Sequence, residues 1–113
     1  MTLKWTQVCL LEEILPNTGC CALYNQMQIA IFRVDSSEQL YAVQNYDPLG
    51  EANVLSRGIV GDVNGELVVA SPLYKHHYSL KTGKCLEDET VQIQTYPIRV
   101  ENGRVELGTV SSH

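Results

Sequence analysis

Apolar and polar residues alternate along this chain in short runs, and turn-forming residues interrupt them about every ten positions. No long stretch carries apolar residues at helical spacing, so the pattern predicts an all-β fold, an antiparallel β-sandwich or barrel of about ten short strands. The first strand is expected at Trp5 to Cys9. Leu10 to Ile14, with Glu12 and Glu13, suits one helical turn before Leu15-Pro16-Asn17-Thr18-Gly19 breaks it. Cys20 to Tyr24 and Met27 to Val34 read as strands paired across Asn25-Gln26. Asp35-Ser36-Ser37-Glu38 then turns the chain into Gln39 to Gln44, where Leu40, Tyr41, Ala42 and Val43 imply burial on both faces.

Two Asn-Gly pairs sharpen the picture, because a type I′ turn requires positive φ at both central residues. Around Asn102-Gly103 a two-residue loop opposes Glu101 to Arg104, Val100 to Val105, Arg99 to Glu106 and Ile98 to Leu107, giving one apolar and one charge-paired face. Around Asn64-Gly65 the same arithmetic opposes Val60 to Val69 but sets Asp62 against Leu67, which suggests a loop longer than two residues. A short strand is expected at His77 to Leu80, a turn at Lys81-Thr82-Gly83-Lys84, and a last strand at Val91 to Thr95 after Glu87-Asp88-Glu89. With no repeat, linker or low-complexity stretch, residues 1–113 read as one domain. Two segments break the β rhythm, residues 45 to 58 and the loop opening with Ser71-Pro72. Irregular loops in a compact domain are where function concentrates, so a site is expected there.

Composition mainly excludes. At 12.6 kDa the chain can bury roughly two-thirds of its unfolded surface without disulfides or metal. A net charge of -5 with no Lys/Arg cluster argues against nucleic acid. Apolar runs reach only about five residues and the N-terminal residues lack an apolar signal core, so a cytoplasmic, non-membrane protein is expected. Cys9, Cys20, Cys21 and Cys85 show no Cys-x-x-Cys spacing and read as reduced small hydrophobes. His76 and His77, as strand neighbours, face opposite ways. No nucleophile elbow or phosphate-binding glycine loop accompanies them. A metal site from either histidine with Cys85 has no recognised spacing, and a hydrogen-bonded histidine is the plainer reading. Glu87-Asp88-Glu89 reads as a solvated turn or an acidic contact patch. No catalytic, cofactor-binding or metal-binding residue is therefore expected.

Ser71-Pro72-Leu73-Tyr74-Lys75-His76-His77-Tyr78-Ser79-Leu80, together with Asn45-Tyr46-Asp47 and Leu55-Ser56-Arg57-Gly58, resembles the two loops of the Rieske iron-sulfur domain. In that family a Cys-x-His and a Cys-Pro-x-His loop clamp a [2Fe-2S] cluster. Here the ligand positions hold Asn45 and Ser71 in place of the thiolates, and Asp47 and Tyr74 in place of the imidazoles. Rieske iron takes two thiolates on one metal and two imidazoles on the other. An amide and a hydroxyl cannot replace sulfur, and His76 and His77 are displaced along the chain, so the resemblance implies a fold without the cluster.

Asn45-Tyr46-Asp47-Pro48, Val54-Leu55-Ser56-Arg57-Gly58, Gly65 to Leu73 and Cys85-Leu86-Glu87-Asp88-Glu89 carry a narrower resemblance, to the small-subunit family of assimilatory NAD(P)H-dependent nitrite reductases. That resemblance implies a partner, the large subunit, which carries FAD, a [4Fe-4S] cluster and siroheme and reduces nitrite to ammonium. It implies no cofactor on this chain. Tyr46, Arg57 and His76 are then candidate partner contacts, with Arg57 either solvated or an anchor to the partner or to Asp47. Asn45, Asp47, Ser71 and Tyr74 either brace the two loops by hydrogen bonds or face water. Two other readings stand beside this one, a working Rieske ferredoxin and a stand-alone regulatory or metal-binding β-domain.

Overall fold

The computed structural model describes residues 3–35, 39–73 and 76–110. Its strands are, in chain order, β1 (Leu3–Leu10), β2 (Thr18–Tyr24), β3 (Met27–Arg33), β4 (Leu40–Gln44), β5 (Tyr46–Asp47), β6 (Ala52–Asn53), β7 (Ile59–Val63), β8 (Glu66–Ala70), β9 (His77–Ser79), β10 (Thr95–Tyr96), β11 (Ile98–Glu101) and β12 (Arg104–Val110). Two single turns of 3-10 helix, Leu11–Glu13 and Leu55–Arg57, are the helical pieces among the described residues. The ladders are antiparallel and form sheets ordered β1-β12-β11, β10-β4-β3-β2 and β7-β8-β9, with β5-β6 as a small separate hairpin. This is the all-β, antiparallel architecture the alternation predicts.

Turn chemistry fixes the register. Asn102 and Gly103 sit at φ 53° and 76°, and the Ile98↔Leu107 to Glu101↔Arg104 pairing matches the expected one. Its charged face carries a 2.7 Å Arg99–Glu106 ion pair, and the Arg99 guanidinium lies 4.3 Å over the Trp5 ring. The Asn64-Gly65 loop departs from expectation: it has two residues, with Val63↔Glu66 and Asp62↔Leu67 in register. Asp62 tolerates its apolar partner because its carboxylate turns back and accepts the Gly65 N–H at 2.8 Å. Val91 to Thr95 also departs, since it forms no continuous strand: a Lys84↔Gln92 bridge, backbone bonds to Gly83, Cys85 and Gln44, and the two-residue β10 hold it in place.

β3 has no solvent face over its central residues. Ala30 and Phe32 enter a core with Val69, Tyr78 and Leu80, while Ile29 and Ile31 enter a second core with Val105 and Leu107. Period-two alternation thus sends one strand's side chains into both layers. Leu55, wholly buried in the first core, pins the irregular segment against the sheet, and the two unusual loops lie over that core.

Candidate functional site

Asp47 closes the short β5 strand, which pairs with β6, and its carboxylate has no solvent exposure. Donors converge on it from both loops. The Ser71 hydroxyl reaches Oδ2 at 2.6 Å, the Tyr78 hydroxyl reaches Oδ1 at 2.7 Å, His76 Nε2 lies 2.9 and 3.0 Å from the two oxygens, and the Leu49 N–H reaches Oδ1 at 3.1 Å. Burial pushes this carboxyl toward neutrality, but the donors from Ser71, Tyr78, His76 and the Gly50 backbone outweigh it and hold the pKa at about 2. An ionised carboxylate only accepts hydrogen bonds, so His76 Nε2 carries a proton. Burial raises the Tyr78 hydroxyl, and its bond to Asp47 and that residue's charge raise it further, so it stays a donor.

This arrangement joins the two loops through one anion. Ser71, His76 and Tyr78 all come from the second loop and the strand it feeds, and the Ser71 N–H closes that loop on the His76 carbonyl at 2.8 Å. The His76 and Tyr78 rings meet edge to face at 5.2 Å. Over the top, Gly50 leaves no room for a side chain: a Cβ there would sit 2.6 Å from Leu73 Cδ1 and 2.8 Å from Asp47 Oδ2. Each hydrogen bond to a charged group contributes about 1.5–3 kcal/mol.

Asn45 works elsewhere. Its side chain donates to Gln28 Oε1 at 2.8 Å, lies 3.6 Å from Cys21 Sγ, and accepts the Ser56 N–H at 2.7 Å, while its carbonyl accepts the Leu55 N–H. It therefore fastens the 3-10 turn to β3, in a hydrogen-bond network separate, among the described residues, from that of Asp47. Of the four expected bracing residues, the structure brings together Asp47 and Ser71, places Asn45 in a second network, and leaves Tyr74 outside the described residues.

The candidate partner contact His76 faces inward. It is 8% exposed, because closure of the Ser71 loop turns its ring inward onto Asp47. Tyr46 is exposed. Arg57 is exposed too and forms no ion pair among the described residues, so it is not anchored to Asp47, whose oxygens the second loop has taken. His77 points the opposite way from His76, onto Glu87 Oε2 at 2.7 Å, and the buried Cys85 thiol reaches Glu87 Oε1 at 3.8 Å. Sequence reasoning did not place Tyr78 or Gln28 in the site. The i, i+2 spacing of His76 and Tyr78 is the signal that puts Tyr78 on the same face, whereas nothing local marks Gln28.

Residues 4–108 match the Rieske-like [2Fe-2S] domain family. The chain is 47% identical to the nitrite reductase (NADH) small subunit of Salmonella typhimurium over 104 residues, covering 92% of this chain and 96% of that one. The solution structure of E. coli NirD has a TM-score of 0.89 at 44% identity, covering 97% of this chain and all of the other. A stretch of the Klebsiella oxytoca nitrite reductase [NAD(P)H] large subunit is 41% identical over 92% of this chain but makes up only 11% of that polypeptide.

The donor set does not fit the cluster in the family's description. The side chains of Asn45, Asp47 and Ser71 are amide, carboxylate and hydroxyl, each already bonded within the protein. Among the described residues no buried side-chain nitrogen or oxygen lacks a partner, so none is left over for iron. The match along almost the whole chain nonetheless settles descent: this chain belongs to the Rieske-like family and, within it, to the small subunits of NAD(P)H-dependent nitrite reductase.

Proposed function

We propose that this chain is a cluster-free, non-catalytic small subunit that docks on the flavin, [4Fe-4S] and siroheme-bearing large subunit of a cytoplasmic nitrite reductase. It supports that partner's reduction of nitrite to ammonium in nitrate assimilation, as a single domain with no cofactor of its own. The observation that carries the reading is the K. oxytoca large subunit, in which a segment resembling nearly all of this chain lies within the longer polypeptide. A domain tethered to its partner in one protein and separate in another is suited to non-covalent association, since the tether supplies only effective concentration.

The Asp47 cluster supports the same reading. It ties the two loops by hydrogen bonds, which gives a partner a preformed surface and lowers the ordering cost of association. Tyr46 and Arg57 stand exposed beside those loops and are available for contact. His76 serves by holding Asp47.

Co-expression with the large subunit from the same organism tests the proposal. NAD(P)H-linked nitrite reduction should be higher with this chain than without it, and the two chains should co-purify. Iron and acid-labile sulfide bound stoichiometrically to the isolated chain would overturn the cluster-free role in favour of a ferredoxin. Stoichiometric zinc or copper without co-purification would favour a stand-alone metal-binding domain.

A further inference from the structure

The outer face of the β7-β8-β9 sheet carries a feature that the loop network does not use. Ile59 stands opposite Ala70, and Ala70 opposite His77, so three side chains lie abreast in one row. Val60 packs against the core, and by alternation Ile59 faces out. At 75% exposure, Ile59 is the most exposed large apolar residue among those described. Ala70, the small residue in the middle, makes the row dip. The result is an open hollow of about 530 Å³ lined by Arg57, Ile59, Ala70, Ser71, Pro72 and His77.

Charge marks one end of this mostly apolar hollow. Arg57 is exposed and forms no ion pair among the described residues, whereas His77 at the far side is held by Glu87. In a chain of net charge -5 a carboxylate on a partner is repelled over most of the surface and attracted here. Ser71 Oγ is committed to Asp47, so the hollow's edge is also an edge of the loop tie.

Resting on the subunit reading above, we propose that this hollow seats a segment of the nitrite reductase large subunit that lays an apolar side chain over Ala70 and brings a carboxylate to Arg57. An apolar anchor beside an Arg-carboxylate pair is the combination that dominates interface energetics.

The test is the affinity of the purified chain for the large subunit from the same organism, measured by titration calorimetry. Ile59→Glu and Arg57→Glu should each weaken binding about 10-fold or more, and Arg57→Gln by a smaller factor. Leu23→Glu, at a comparably exposed position on β2, should stay within about twofold. Both target side chains are exposed, and an unchanged circular dichroism spectrum checks the fold of each variant. If the unaltered chain binds and the Ile59 and Arg57 variants bind equally well, the seat is wrong while the subunit reading stands. If the unaltered chain does not bind, both fail. Self-association that Ile59→Glu abolishes would assign the hollow to a second copy and overturn the proposal.

Discussion

His76 and His77 are neighbours, and each is bonded to a carboxylate, yet the two pairs differ in nearly every physical respect. His76 and Asp47 are 8% and 0% exposed, and the carboxylate shares its charge with Ser71 and Tyr78. His77 and Glu87 are 33% and 50% exposed, and the pair bridges neighbouring surface segments. A buried anion must be satisfied by every donor around it, so removing it or any donor exposes the rest to an unmet demand. An exposed pair exchanges its partner for water at little cost. Strand alternation alone puts adjacent residues of one type into these two regimes.

The largest break in that comparison is Asp47→Ala, which should destabilise the chain by about 3–5 kcal/mol in chemical denaturation because three second-loop donors lose their acceptor. Tyr78→Phe removes one charge-assisted bond with little change in volume and should cost about 1.5–3 kcal/mol by the same measurement. Acid offers a comparison without mutation. Asp47's folded pKa, about 2, lies below its ordinary value of 3.8, so its stabilisation is fully present above that value and is lost as pH falls through 2. A chain with Asp47→Asn should lack this acid-dependent loss, about 2 kcal/mol in denaturant titrations run from pH 5 to pH 2. The smallest effect belongs to the exposed pair: Glu87→Gln should change stability by less than about 1 kcal/mol, and that change should shrink further in high salt.

Local signals were enough for much of the fold. Asn102-Gly103 specified its hairpin down to the residue pairs, and Asn25-Gln26 made a two-residue turn with both residues at positive φ although neither is glycine. Asp62 misled because its apolar cross-strand partner masks a side chain spent on the turn. Within the site, Asp47 and Ser71 stand out in sequence because they occupy the family's ligand positions. That they are bonded to each other, and that His76 turns inward, depends on closure of the second loop across contacts between distant residues. Gln28 was illegible for the same reason. Its contact with Asn45 is created by the β3–β4 pairing, not by anything around position 28.

Gln28 also gives β3 a consequence beyond packing. It leaves the same strand whose next residues form the wall between the two cores, and it holds Asn45 and, through it, the turn that carries Arg57. A defect on the far side of that wall, such as a shortened Ile31, need not stay there. Any slip of the strand carries the Gln28 amide with it and tilts the Arg57 turn, linking distant interior damage to the orientation of an exterior cation.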